Sequence, residues 1–243
     1  MQVLKFGGSS VANAENMAKV VDIVVNAVDR DRTILVSSAI SGCTDTLIKI
    51  GTLASQRDEG YKTLIDELQE KHHVIIRDFL PLEKQAESQE VCDSLFDSLR
   101  SIAQGVFLLG ELSPASLDAI QGFGELWSTK ILATKLASIG ISTKWIDSRN
   151  IIRTVAKGDK NIVDVQKTYS RVNEMVDSNP ITQLFVLPGF IASDKQGRTT
   201  TLGRGGSDYT AALYAVGCKA RVLEIWTDVP GMMTSNPKVV PTA

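Results

Sequence analysis

The chain has 243 residues, with 26 Lys and Arg against 28 Asp and Glu and a formal charge of −2, so it has no global basic surface for gripping nucleic acid. A hydrophobic fraction of 43% and a charged fraction of 22% describe an ordered globule and exclude a disordered chain. Cys43, Cys92 and Cys218 are too scattered for a disulfide framework or a metal quartet, MQVLKFGG does not read as a signal peptide, and no apolar run approaches the roughly 20 residues of a membrane helix; the expected setting is the reducing cytoplasm.

The opening predicts a strand over Val3 to Phe6 that runs into Gly7 and Gly8, then a helix over Asn13 to Val28 with Met17, Val20, Val21, Val24 and Val28 on one side. Thr33 to Gly42 reads as a second apolar strand closed by small residues. From Leu47 to Leu109 the chain turns helical, broken at Pro81. Leu64, Leu68, Ile75 and Phe79 form one stripe, and Val91, Leu95, Leu99, Ile102 and Val106 a second. A helix over Gly124 to Ile139 stops at Gly140 and feeds a strand over Ser142 to Ile146. A polar stretch around Gly158 and Asp159 precedes a helix over Val165 to Val176. Gln183 to Leu187 is a strand, and Ile191 to Thr201 a hairpin turning at Asp194 to Gly197. A helix over Asp208 to Val216 and a strand over Arg221 to Trp226 follow. Strands alternating with helices predict one α/β domain, a three-layer sandwich round a largely parallel sheet.

Three loops at strand ends carry glycine with polar groups: KFGGSS from Lys5, GRGGSD from Gly203 and TDVPG from Thr227. Backbone N–H groups free of side chains, backed by a helix N-terminus, cradle an anion. The Gly7–Gly8 pair alone divides evenly between a tight turn and such a cradle; Lys5 before it and Ser9 and Ser10 after it favour phosphate. The loop is neither GxxxxGK[ST] nor GxGxxG, which speaks against P-loop and nicotinamide chemistry. Arg204 presents a planar fork suited to a carboxylate or phosphate, and Ser207 sits where a helix N-cap is expected. Asp208 and Glu125 at helix starts are each explained by dipole compensation alone, although that does not account for the cluster of Arg and glycines. Asp228 at a strand exit can orient Lys5, accept a nucleotide hydroxyl or cap a turn. His72 and His73 read as ordinary helix residues, and no metal-binding set is visible.

KFGGSSV at Lys5, GELWS at Gly124, TLGRGGSDYTA at Thr201 and IWTDVPG at Ile225 resemble, in this order, the kinase domain of aspartokinase. MQVLKFGGSSVANAEN, LLGELSPAS and EIWTDVPG are most similar to the N-terminal kinase domain of bifunctional aspartokinase–homoserine dehydrogenase. The resemblance implies the amino-acid kinase fold and transfer of phosphate from MgATP to the side-chain carboxylate of L-aspartate. That reaction gives 4-phospho-L-aspartate, the first step toward threonine, methionine, lysine and isoleucine. By motif, Lys5 would stabilise the transferring phosphoryl group, with Gly7, Gly8 and Ser9 holding it. Ser38 and Thr44 would line the aspartate pocket, and Glu125 would bind the amino group. Arg204, backed by Gly205, Gly206 and Ser207, would hold the α-carboxylate, while Asp208 would organise Lys5. Thr227 and Asp228 would face the nucleotide.

Where relatives read I-Y-T-x-D-P-R after TDVPG, this chain reads MMTSNPK, placing Met233, Asn236 and Lys238 near the nucleotide. Met can pack on a purine, and Lys keeps the charge without the fork. The resemblance further implies a kinase domain over 1–243, truncated at its C-terminus, with regulatory modules and an NAD(P)-dependent homoserine dehydrogenase absent. It also implies a homo-oligomeric parent, no nucleic-acid or membrane partner, and a fragment that folds but is weak or inactive as a kinase. Another amino-acid kinase, acting on glutamate, acetylglutamate or uridylate, and a non-catalytic amino-acid- or nucleotide-binding domain remain the alternatives.

Overall fold

Val3 and Leu4 begin a strand whose every side chain is buried, Gln2–Phe6 (β1), and two more strands, Thr33–Ser37 and Leu184–Pro188, are buried throughout. Continuous apolar runs of this kind belong to a parallel sheet covered on both faces. The computed structural model describes residues 1–158, 160–227, 231 and 240; Asp159, Asp228, Met233, Asn236 and Lys238 lie outside the described residues. In chain order β1 is followed by α1 (Ala14–Val28), β2 (Thr33–Ser37), α2 (Cys43–Ser55), α3 (Gly60–Phe79), α4 (Leu82–Leu109), α5 (Pro114–Gln121) and α6 (Phe123–Ser138). Then come β3 (Thr143–Trp145), β4 (Thr154–Lys157), β5 (Lys160–Val163), α7 (Val165–Asp177) and β6 (Leu184–Pro188). The last described elements are β7 (Ile191–Ser193), β8 (Thr199–Thr201), α8 (Gly206–Gly217) and β9 (Val222–Trp226).

The main sheet has the order β3-β6-β2-β1-β9, with every neighbouring pair parallel. Two-residue alternation divides its side chains between two cores. Leu4, Phe6, Leu35, Leu184 and Val186 join the core under α1 to α4 and α6, whereas Val3, Ile34, Val36, Phe185 and Leu187 join the core under α7 and α8. This is the expected α/β sandwich with a parallel sheet between helical layers. The antiparallel pairs are small and separate, β4 with β5 and β7 with β8.

The helix signals account for most boundaries. Asn13 Oδ1 accepts the Asn16 N–H at 2.9 Å and starts α1; Pro81 precedes α4, and Gly110, at φ 70°, ends it. The buried line of α4 runs through Cys92, Phe96, Leu99, Ala103 and Val106 rather than through Val91 and Leu95, and Val91 is exposed. The shift follows from Phe96, whose ring stacks on Trp127 of α6 at 4.0 Å and so sets the rotation of α4. Helix α5 was not among the expected elements, although Ser113, which accepts the Ser116 N–H at 3.1 Å, and Pro114 mark its start. The polar stretch beside Gly158 proves to be the β4–β5 pair. Its side chains are mostly exposed, with no buried alternation to reveal it.

Helices α7 and α8 meet where Gly217 faces Val172; a Cβ on Gly217 would lie 2.9 Å from Val172 Cβ. Gly217→Ala is therefore expected to destabilise the protein by about 1–3 kcal/mol in urea unfolding. Adding Val172→Ala should make the double variant more stable than the sum of the two single losses.

Candidate functional site

Strands β1, β2 and β6 run parallel, so their C-terminal ends share one edge of the sheet, where ligands bind in open α/β folds. The chain leaving β1 passes through Gly7 and Gly8, that leaving β2 through Ser38 to Gly42, and that leaving β6 through Gly189 and Phe190. With the starts of α2, α6 and α8 they enclose a cavity of about 410 Å3. Of the residues expected from sequence, Lys5, Gly8, Ser38, Thr44, Glu125, Gly205, Gly206, Ser207 and Asp208 line it.

Lys5 is only 7% exposed, and its Nζ lies 2.7 Å from Asp208 Oδ1. The strand thus delivers an ammonium to the cavity wall already paired with the first turn of α8. Gly7 lies beside it: a Cβ there would sit 3.6 Å from Lys5 Nζ. The Gly7–Gly8 pair is not a left-handed turn, since Gly7 is extended at φ −78°. Gly8 is required by close approach, because a Cβ would fall 2.9 Å from the Ala39 carbonyl oxygen.

Ser207 is not the N-cap of α8, as the sequence suggested. Gly205 holds that position in a left-handed conformation, φ 74°, without a side-chain cap. Ser207 instead turns inward against Gly189, where a Cβ would come within 2.6 Å of it. The N-termini of α2, α6 and α8 all contribute to the cavity wall, and their partial positive charges favour anions. Three carboxylates, Asp45, Glu125 and Asp208, oppose them in the same wall. An arrangement of this kind suits a ligand that carries both signs.

Glu125 is the unusual member. It is 3% exposed, and its Oε2 has no hydrogen-bond partner. Burial pushes its carboxyl up to about 8, against the pull of the backbone N–H groups of Ala39 and of Glu125 itself. A buried acceptor with nothing to accept from, in the wall of a polar cavity, fits an incoming ammonium. Cys43, beside it, is an unreactive thiol: burial first, and the neighbouring Glu125 second, push its pKa upward.

Other expected residues stand apart. Arg204 is exposed and its side chain is not in the cavity wall, although Gly203 and Gly205 on either side of it are. Ser9 and Thr227 line a neighbouring cavity of about 280 Å3 with Phe6, Asn16, Lys19 and Trp226. Asp228, Met233, Asn236 and Lys238 lie outside the described residues. Sequence reasoning missed Asp45, Ser41 and Phe190 in the wall. Phe190 holds a left-handed backbone, φ 64°, secured by its N–H to Thr210 Oγ1 at 3.0 Å and its carbonyl from Leu202 N at 2.8 Å. Its place directly after Pro188–Gly189 at a strand end was the available signal. His72 is a core residue, bonded through Nδ1 to the Leu68 carbonyl and lowered by burial to about 4. Among the described residues no His, Cys, Asp and Glu side chains gather as metal ligands.

Folded Glu125 keeps a proton that the unfolded chain loses above its ordinary pKa of 4.5. The stability tied to that proton is whole below pH 4.5 and is lost as pH rises through about 8. Thermal melts should accordingly fall between these limits, and Glu125→Gln, neutral throughout, should flatten that slope and melt higher than the parent above pH 8. Parallel pH profiles for the two proteins would rule out this assignment of the proton.

The amino acid kinase family matches residues 1–243. A bifunctional aspartokinase/homoserine dehydrogenase 2 of Arabidopsis thaliana is 31% identical over 98% of this chain and 26% of its own length. The lysine-sensitive aspartokinase 3 of Escherichia coli is 34% identical over 99% of this chain and 52% of its own. Among solved structures, E. coli aspartokinase III in complex with aspartate and ADP superposes with a TM-score of 0.86 at 31% identity, over 98% of this chain and 52% of that one. The chain thus spans between about a quarter and about half the length of these relatives. It belongs to the amino acid kinase family, and it closely matches the N-terminal kinase domains of the aspartokinase/homoserine dehydrogenases.

Proposed function

We propose that the cavity takes L-aspartate and MgATP and forms 4-phospho-L-aspartate and ADP. The observation that carries this reading is the cavity's mixed wall. The buried Glu125 carboxyl with its unpartnered Oε2, the Lys5–Asp208 pair and three helix N-termini face one space. Aspartate offers one ammonium and two carboxylates to such a wall. The solved relative described as a complex with aspartate and ADP supports the same pairing of ligands.

In this reading the ammonium binds at Glu125 Oε2, and Ser38 and Thr44 flank the substrate. Arg204, backed by Gly205, Gly206 and Ser207, turns in from the exposed loop onto the α-carboxylate. The side-chain carboxylate is ionised at neutral pH and needs no general base. Its oxygen forms the new bond to the γ-phosphorus as the bond to the ADP oxygen breaks. Lys5, held by Asp208, meets the charge that spreads over the transferring oxygens, while Gly7, Gly8 and Ser9 offer backbone N–H groups. By the same resemblance, Thr227, Asp228, Met233 and Lys238 would serve the nucleotide. Mg2+, carried on the nucleotide phosphates, supplies further neutralisation of charge.

The rest of the reading rests on likeness to longer relatives. Residues 1–243 would be one kinase domain of a threonine-, methionine- and lysine-forming pathway enzyme, in a cytoplasmic homo-oligomer whose dehydrogenase region uses NAD(P). Among the described residues no helix is long and apolar enough to cross a membrane.

Calorimetry with L-aspartate, L-glutamate and MgADP, beside a coupled ADP-release assay, tests the proposal. Aspartate is expected to bind in preference to glutamate and, in the full-length enzyme, to support ADP release; preference for glutamate, or binding without any phosphoryl transfer by the full-length enzyme, overturns it. Arg204→Lys should raise the aspartate KM and leave the ATP KM nearly unchanged, whereas equal rises would remove Arg204 from substrate recognition. Lys5→Ala should lower kcat by about 100-fold or more, and a normal kcat with weakened ATP binding would make Lys5 a binding residue only.

A further inference from the structure

A second cavity, of about 160 Å3, opens on the far side of α6, between α4, α6 and the strand β3. Its wall is mainly apolar and aromatic, with Val91 and Leu95 from α4, Trp127 and Ile131 from α6, and Trp145 from β3. One cation stands in that wall. Lys130 Nζ lies 3.7 Å from the centre of the Trp145 ring. Burial holds its ammonium below the ordinary lysine range, with Asp147 pulling the other way and Arg149 adding to the depression. Asp147 is already taken, however, by Arg149, through Nε at 3.0 Å and Nη2 at 2.6 Å. Glu87, the carboxylate in the cavity wall, lies 3.5 Å from Lys84. Lys130 makes no ion pair among the described residues.

A second donor in the same wall is idle. Trp127 is 1% exposed, and its indole N–H has no acceptor, whereas Trp145 gives its N–H to Thr129 Oγ1 at 2.9 Å. A purely apolar hole is content to stay empty, but a half-buried ammonium with no ion pair and an unused indole N–H each leave a polar group at its wall short of a partner. Both ask for an acceptor, the ammonium for an anionic one, while the rings and aliphatic side chains ask for an apolar body. A cavity of roughly 150 Å3 holds a benzene ring, so the space suits a monocyclic or short branched molecule and is too small for a nucleotide.

We propose that this cavity binds a small carboxylic acid with a single-ring or branched aliphatic body, its carboxylate on Lys130 and its body against the two tryptophans. The site is separate from the cavity beside Lys5. Glu125 and Lys130 are five residues apart on α6, about 140° round the helix, and they serve different walls.

Two of the three tryptophans line the cavity, so a protein carrying Trp226→Phe reports on it by fluorescence. Phenylacetate is expected to change that fluorescence saturably and to bind roughly tenfold more tightly than its neutral isostere phenylacetamide. Lys130→Met, which keeps the aliphatic stem, should bring acid and amide to the same weak affinity. Excess L-aspartate should leave the titration unchanged whether or not aspartate is the substrate of the other cavity. Equal affinity for acid and amide, undiminished phenylacetate binding by Lys130→Met, competition by aspartate, or no saturation would each overturn the proposal. Should Lys130→Met fail to fold, the comparison of acid with amide on the Lys130 protein decides alone.

Discussion

A lysine placed in a strand that is covered on both faces must find a counter-charge close at hand. Lys5 sits opposite Val36 on one side and Ile225 on the other, and no neighbour within the sheet can balance it. The balance comes from Asp208, 2.7 Å away, in the first turn of α8. Removing Asp208 would leave the buried Lys5 ammonium uncompensated, which costs more than the half-buried pair gains by forming. The position of α8 over the sheet, the left-handed Gly205 that starts it, and the inward turn of Ser207 against Gly189 are all consistent with delivering that carboxylate. The same pair is also the most direct means of presenting a positive charge at the edge of the sheet without leaving it bare in the core.

Helix α6 supports the opposite wall. Most of its first eleven residues are buried around the whole circumference, because the helix lies between the sheet and the lobe formed by α3 and α4. Its Phe123 and Trp127 pack into the aromatic group with Phe96 and His72, while Glu125 projects toward the sheet edge. The rigidity of a close-packed aromatic cluster is thereby transmitted to a carboxyl whose Oε2 has no partner. A flexible loop in that place would let the side chain turn to solvent and ionise. A packed helix keeps it out of water, so that a positive group entering the cavity meets an unused Oε2.

Three close approaches shape the space between these walls. Gly8 lies against the Ala39 carbonyl, Gly124 against Ala39 Cβ, and Gly189 against Ser207. Each draws together two segments distant in sequence, a strand-end loop and either a second loop or a helix start, and a methyl group at any of them would force the wall apart. The cavity is accordingly a consequence of backbone contact at the ends of β1, β2 and β6, and the polar side chains are its furnishing.

Much of this was legible in the residues themselves. Apolar runs bounded by glycine marked β1, β2 and β6, and helical spacing marked α1 and the α3–α4 lobe, because burial in a layered α/β fold imprints local periodicity. Lys5, Glu125, Arg204 and Asp208 stood out through their glycine-rich settings, and their order along the chain carried the family resemblance. The resemblance had Asp208 organising Lys5, but local sequence could not bring the two, some two hundred residues apart, within 2.7 Å of each other, or show that Gly205 rather than Ser207 caps α8. Nor could it show that Ser9 opens on a different cavity from Lys5, or that the short exposed pair β4–β5 exists at all. Periodicity records which face of an element is buried, and motifs record which residue types travel together. Pairing, register and the desolvation of a single carboxyl arise only when distant segments meet, so they belonged to the tertiary structure alone.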